Sequence, residues 1–137
     1  MGTRSTTKFY KNGGKHFIGA IYRQFDGYPT GHGTELKNMI CGVKLVNGYT
    51  SVYAMKNCSN GIDCLAATII SKLKADAGIG GIYMTREEDA QEYNYKIWEE
   101  KNVIFISVKS ALQFVTTSEY ELDNGDSSNN SVIHVSK

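Results

Sequence analysis

The 137-residue sequence has few of the features that mark secreted, membrane or disulfide-stapled proteins. It has only three cysteines, no two of them spaced as a CxxC pair, which we expect to be buried as small apolar side chains. No apolar run approaches the ~18 residues of a membrane span. The first seven residues, MGTRSTT, lack the apolar stretch of a signal peptide. An odd cysteine count without a secretion signal predicts a reducing, cytoplasmic location. The lack of a long apolar run predicts no membrane association.

Neither positive nor negative charge is in excess. The chain has 15 Lys and Arg against 14 Asp and Glu, a net charge of +1. A protein that coats nucleic acid or a membrane surface needs a strong basic excess, so we expect no nucleic-acid polymer as a partner. A small anionic ligand remains compatible with this balance, because a pocket needs only two or three cations.

Recognisable catalytic and metal-binding motifs are lacking as well. No GxSxG, HExxH or Walker sequence occurs, and the three histidines have no ligand spacing to one another or to the cysteines. Asp26 and His32 are six residues apart on one loop, which permits an acid–base pair but does not indicate one. We therefore predict no catalytic residue, no metal and no cofactor.

Periodicity predicts an α+β domain over residues 1–116, with an antiparallel β-sheet in the order β-β-α-α-β-β-β and two helices packed on one face. Tyrosine is abundant, with 9 residues, so the other face is expected to carry Tyr or Trp and to be open to a ligand or another protomer. Residues 117–137 are predicted to be a polar C-terminal tail or an edge element, with a short strand at 132–135. The predicted strands are 3–11, 15–25, 82–86, 92–99 and 103–108, and the predicted helices are 35–45, with Thr34 as N-cap, and 62–76.

Alternation within residues 15–25 divides the second strand between two faces. One face carries Phe17, Gly19, Ile21 and Arg23. The other carries Ile18, Ala20, Tyr22 and Gln24.

Residues 21–33, IYRQFDGYPTGHG, hold the densest set of ligand-type side chains. Arg suits a phosphate, Gln a base edge, Asp the hydroxyls of ribose, and Phe or Tyr a stacked base. Three glycines and a following helix N-terminus would bring backbone N–H groups to an anion. The alternative is a well-made loop whose side chains serve only the fold. The candidate ligand-binding residues of this loop are Arg23, Gln24, Phe25, Asp26, Tyr28, Thr30 and His32.

A second candidate group falls on or beside the C-terminal strands, near Tyr83. Tyr93 and Tyr95 share one face of their strand and Asn94 points to the other, so these residues do not all line one pocket within a protomer. Core packing plus an exposed face is the alternative interpretation. The ligand-binding candidates here are Arg86, Tyr93, Asn94, Tyr95 and Lys109.

The N-terminal Gly-Thr-Arg-Ser, followed by a strand, a turn and IYRQFDGYPTGHG, resembles a family of small proteins common in phages and prophages. The resemblance covers residues 2–40 and continues more loosely through NGIDCLAA at 60–67 and the hinge before Tyr83. In function it is similar to the phage anti-Thoeris proteins, which act as nucleotide sponges. It implies an anti-defence protein of the infected bacterial cell, a homo-oligomer (dimer or hexamer) that sequesters a cyclic ADP-ribose isomer without cleaving it. Some members are implied to hold cyclic oligonucleotides in a separate pocket.

Three functions remain open from the sequence. The chain is a non-enzymatic binder of a cyclic nucleotide signal, a nucleotide-degrading enzyme, or a phage protein-interaction module. Aromatic, Arg, Asp and Gly residues concentrated in one loop favour the first over the third, because a protein-binding patch more often spreads apolar residues along an exposed face.

Overall fold

A computed structural model describes residues 2–47 and 57–110, together with the backbone of Ser118–Tyr120 and Ile133–His134. Two helices lie between strands that form one seven-stranded and one two-stranded sheet. The helices are α1 (Thr34–Ile40) and α2 (Gly61–Ala77), and the strands are β1 (Ser5–Lys11), β2 (His16–Arg23), β3 (Lys44–Val46), β4 (Cys58–Asn60), β5 (Ile82–Thr85), β6 (Tyr93–Glu100), β7 (Val103–Ser110), β8 (Ser118–Tyr120) and β9 (Ile133–His134).

The α+β class is confirmed, and the main sheet runs in the order β5-β2-β1-β6-β7-β8, with β9 also paired to β7. Two tight turns build its hairpins. Asn12 and Gly13 have φ angles of 55° and 68° between β1 and β2. Lys101 and Asn102 have φ angles of 52° and 64° between β6 and β7. Asn and Gly tolerate the left-handed region, so the chain reverses where the sequence predicts it.

The sheet is mixed rather than wholly antiparallel, because β1 and β6 run parallel at its centre. The chain crosses through both helices and returns as β5 on the far side of β2. Residues 86–92 must then pass over β2 and β1 before β6 begins. This crossover is absent from the predicted hairpin arrangement, which assumes that successive strands are neighbours.

The first predicted helix is too long. It ends at Ile40 instead of residue 45, and Lys44–Val46 forms β3, parallel to β4. Gly42 has a φ angle of 81°, a conformation that glycine adopts readily, and the chain turns there toward β3. Thr34 is not the N-cap, because a π-helical turn at Pro29–Gly33 precedes it and its hydroxyl donates to the Pro29 carbonyl.

A β-bulge corrects the faces assigned to two residues of β2. Phe9 pairs with Gly19 but Tyr10 pairs with Phe17, so the register shifts by one residue between them. Phe17 therefore lies on the face of the sheet opposite the helices, called the open face below. There its ring centre lies 5.5 Å from that of Tyr10. Ile18 packs against the hydrophobic core instead. A bulge adds one residue to one strand, which reverses the alternation on one side of it.

The core lies between the helices and one face of the sheet. Apolar residues at helical spacing on α2 face the core: Ile62, Leu65, Ala66, Ile69 and Leu73 are buried, and Ile70 is partly buried against them. The prediction of buried cysteines is wrong, since Cys41 and Cys64 are exposed and Cys58 is half-buried. No helix among the described residues is long and apolar enough to cross a membrane.

The C-terminal strands account for part of the predicted tail. Ser118–Tyr120 and Ile133–His134 both pair antiparallel with β7. The rest of residues 117–137 lies outside the described residues.

Two isoleucines test the placement of the core. Ile69 on α2 is fully buried, so Ile69→Ala is expected to lower the free energy of unfolding by about 2–5 kcal/mol through lost contacts and a cavity. Ile79 is fully exposed, so Ile79→Ala is expected to change it by less than about 0.5 kcal/mol. Urea denaturation of the two variants measures both values, and equal losses would contradict this core.

Candidate functional site

The loop after β2 packs tightly against the N-terminal residues. The Gly27 amide donates to the Thr3 carbonyl at 2.9 Å. A Cβ atom at Gly27 would lie 2.6 Å from the Ser5 Cβ, and one at Gly2 would lie 2.6 Å from the Phe25 ring. Real Cβ atoms do not approach neighbours this closely, so both positions require glycine. The N-terminal GTRS segment and the IYRQFDGYPTGHG loop therefore form one packed unit.

His32 is the centre of that unit. Its side chain is fully buried, and its Nε2 lies 2.9 Å from the Thr7 hydroxyl of β1. The Arg23 Nη1 lies 3.1 Å from His32 Nδ1. The Tyr95 ring of β6 meets the imidazole edge-on, with ring centres 5.0 Å apart. One side chain of the loop thus contacts three neighbouring strands of the sheet.

The hydrogen bonds around His32 assign its tautomer. A guanidinium only donates, so Arg23 requires Nδ1 to accept, and Nε2–H then donates to Thr7. Burial lowers the pKa of His32 below its ordinary value of 6.5, which keeps the ring neutral. Glu35 forms an ion pair with Arg23.

Thr7, His32 and Glu35 stand in the order of a nucleophile, a base and an orienting acid, with His32 Nδ1 3.5 Å from Glu35. The proton on Nε2 points toward the threonine, however, so this imidazole is not placed to take the Thr7 proton. Thr7 and His32 are also buried from solvent. The arrangement therefore positions the loop and does not present a nucleophile to a substrate.

The backbone of the loop does not form the expected anion cradle. The amides of Gly31 and Gly33 donate to the Tyr28 carbonyl, and that of His32 donates to the Asp26 carbonyl. The Thr34 amide bonds to carbonyls within the π-helical turn. A Cβ at Gly31 would lie 2.8 Å from the Tyr28 ring, so this glycine also serves packing. These N–H groups are satisfied inside the protein, which corrects the prediction of a glycine-lined phosphate site.

The remaining candidates of the loop are engaged within the loop or exposed to solvent. Gln24 accepts a hydrogen bond from Tyr22, and Asp26 lies 3.4 Å from the Tyr28 hydroxyl. Phe25 and Thr30 are exposed. The cleft beside this loop, about 230 Å³, sets two carboxylates, Glu35 and Asp76, against the one guanidinium of Arg23. Its charges do not favour an anion.

The sheet separates the second group of candidates. Tyr95 lies on the core face, where its hydroxyl donates to the Gly27 carbonyl at 2.7 Å, and Tyr93 packs against the same core. Asn94 lies on the open face and is held by Thr6 and by the backbone of Gln91. Lys109 pairs across from Asn94 on that face, and Arg86 is exposed at the end of β5. The five candidates are thus divided between the two faces of the sheet and the end of β5.

Register aligns the open-face residues of β1, β6 and β7 in three rows. The first row is polar, the second is rich in lysine and the third is aromatic. The rows are Thr6–Asn94–Lys109, then Lys8–Lys96–Ser107, then Tyr10–Trp98–Phe105.

A cleft of about 230 Å³ lies over these rows, lined by Lys8, Tyr10, Asn94, Tyr95, Lys96, Ser107 and Lys109. Lys8 and Lys96 stand directly opposite each other on adjacent strands, where like charges repel. The Lys96 ammonium lies 4.9 Å from the Tyr10 ring centre and 5.0 Å from that of Trp98. Burial lowers the pKa of Lys8, against the opposing effect of nearby carboxylates.

Sequence reasoning missed four residues of this cleft: Lys8, Tyr10, Lys96 and Ser107. A signal was present, because Lys8 and Tyr10 alternate on β1 as Lys96 and Trp98 do on β6. The two pairs meet only because β1 and β6 are neighbours in the sheet. Alternation within a strand does not predict which strands are neighbours.

Comparisons of the chain with protein-family models, with curated proteins and with solved structures find no match.

Gly27→Ala is expected to lower the free energy of unfolding by about 1–3 kcal/mol, because the added methyl group overlaps Ser5 and Thr3. Gly19→Ala is the matched control, since nothing lies within 4 Å of its Cβ position. Urea denaturation compares the two, and an undisturbed Gly27→Ala protein would contradict the packed unit.

His32 is expected to make the protein less stable in weak acid. Its pKa is lowered in the folded state, so the unfolded chain binds more protons, and stability falls as pH drops below about 6.5. Urea midpoints between pH 7.5 and pH 5 measure this slope, and an NMR titration of the His32 ring observes the neutral form directly.

His32→Gln is expected to reduce that slope, whereas His16→Gln, at an exposed position, is expected to retain it. A His32 ring that titrates at or above its ordinary pKa would contradict the buried neutral imidazole.

Proposed function

We propose that the protein binds a small phosphorylated nucleotide on the open face of its sheet and holds it unchanged. The observation that carries this proposal is the pairing of Lys8 with Lys96, with Lys109 in the neighbouring row and an aromatic row alongside. An anion between these ammonium groups relieves their mutual repulsion. The partly exposed ring of Tyr10 offers apolar surface for a base.

The magnitudes are sufficient for tight binding. A hydrogen bond to a charged group contributes about 1.5–3 kcal/mol, and stacking of a base on an aromatic ring about 1–3 kcal/mol. Nanomolar sequestration requires about 12 kcal/mol. Three lysines with one or two stacked rings approach that value if the cleft is pre-formed. The described lining has no carboxylate, imidazole or thiol, which favours holding a ligand over converting it.

The resemblance to phage anti-Thoeris proteins suggests which nucleotide is held. We propose a cyclic nucleotide immune signal, a cyclic ADP-ribose isomer or a cyclic oligonucleotide, bound in the cytoplasm of an infected bacterium. The cleft of about 230 Å³ is small for such a ligand, so a second copy of the chain packed over the open face would enclose it better. A homo-oligomer is part of the proposal for this reason.

Lysine variants test the site by calorimetric titration with cyclic ADP-ribose isomers and a panel of cyclic di- and trinucleotides. Lys8→Gln and Lys109→Gln are each expected to weaken binding about tenfold or more, the loss of one charge-assisted hydrogen bond. Lys72→Gln, exposed on α2 in the helical layer, is the matched control and is expected to bind as the wild type does. Unchanged affinity in both open-face variants would place the ligand elsewhere.

Recovery of the ligand distinguishes holding from conversion. After titration the protein is denatured by heat, and the released nucleotide is identified by mass. An unchanged nucleotide supports sequestration, and an altered one indicates an enzyme. The absence of measurable binding for every nucleotide in the panel would contradict the proposed function.

A further inference from the structure

The connection between β5 and β6 crosses the open face beside the lysine cleft. Both strands run in the direction of β1, so residues 86–92 return over β2 and β1. Three open-face side chains fix this path. Tyr10 donates to Glu87 at 3.1 Å, Thr85 donates to Asp89 at 2.6 Å, and Asn94 bonds to the Gln91 backbone.

Register places a carboxylate close to the lysine row. Thr85 pairs with Ala20, and Ala20 pairs with Lys8. Asp89 accepts a hydrogen bond from Thr85, so only the methyl group of Ala20 separates this part of the loop from Lys8. A second hydrogen bond, from Gln91 at 2.7 Å, keeps Asp89 in place.

Glu87 approaches the cleft from the aromatic row. Its partner Tyr10 lines the cleft and also faces the Lys96 ammonium. Glu88, exposed at the tip of the same turn, adds a third carboxylate. Three lysines and three carboxylates therefore stand around the cleft, and their formal charges sum to zero.

We propose that the acidic loop, Glu87, Glu88 and Asp89, acts as a charge filter that admits phosphodiesters and disfavours terminal phosphate monoesters. This inference rests on the proposed nucleotide site. A phosphodiester carries one negative charge, whereas a phosphate monoester carries about 1.5–2 at pH 7. The lysines attract either group, and the carboxylates penalise the additional charge of the monoester. The ligand class is then a nucleotide in which each phosphate carries one negative charge, as in a phosphodiester or a pyrophosphate esterified at both ends.

Trp98, the only tryptophan of the chain, reports binding, because it lies beneath Lys96 on the open face. Its fluorescence is titrated with 3′,5′-cyclic AMP, a diester, and with 5′-AMP, the monoester of the same nucleoside. The wild type is expected to bind the diester about fivefold more tightly, the effect of one charge near two or three partly screened carboxylates.

The Glu87→Gln/Glu88→Gln double variant is expected to reduce that preference to less than about twofold, mainly by binding 5′-AMP more tightly. The Asp63→Asn/Asp76→Asn double variant, an equal change of charge at exposed positions of α2, is the control and is expected to retain the wild-type preference. Both glutamates are exposed, so the double variant keeps the fold.

Each other outcome overturns a defined part of the account. Equal affinities in the wild type, or the same preference in wild type and double variant, would overturn the filter and leave the binding site intact. A Trp98 signal that responds to neither nucleotide would overturn the nucleotide site and the filter with it.

Discussion

The buried imidazole of His32 joins the loop after β2 to the sheet, and the arrangement of both faces depends on it. Because it is neutral, it can accept from Arg23 on one side and donate to Thr7 on the other. Tyr95 adds an edge-on ring contact and a hydrogen bond to the Gly27 carbonyl. Each of these polar groups would be costly to bury alone, so they are stable only as a set.

These contacts engage the hydrogen-bonding groups of Arg23 and of the loop backbone. The arginine donates to a histidine, a glutamate and the Phe25 carbonyl, and the amides of the glycine-rich turn bond within the turn. The loop also fills the end of the core face. The proposed binding site lies on the opposite face, where Lys8 and Lys96 stand opposite each other and the described lining of their cleft holds no carboxylate. An acidic crossover loop at its margin balances the charge.

Much of the fold follows from local sequence, and the site does not. The stripe of α2, the Asn12-Gly13 turn and the strand at 103–108 depend on neighbours in the chain, so alternation and turn residues predict them. The bulge at Phe17 and Ile18 and the short α1 depend on tertiary packing, which overrides local pattern. The composition of the loop at 21–33 does not distinguish a binding site from a packed loop. The side-chain types that hydrogen-bond one another there are the same types that would bind a nucleotide. The meeting of Lys8 with Lys96 requires the parallel pairing of β1 and β6, strands more than eighty residues apart.

The most direct test asks which face of the sheet the ligand touches. Amide NMR signals are followed during titration with the nucleotide that binds most tightly in the calorimetric panel. The account expects the changes to concentrate at the open-face residues of β1, β6 and β7, around Lys8, Lys96 and Lys109, with those of His32 and Gly33 nearly unmoved. Changes concentrated in residues 23–33 instead would contradict it and return the ligand to the loop.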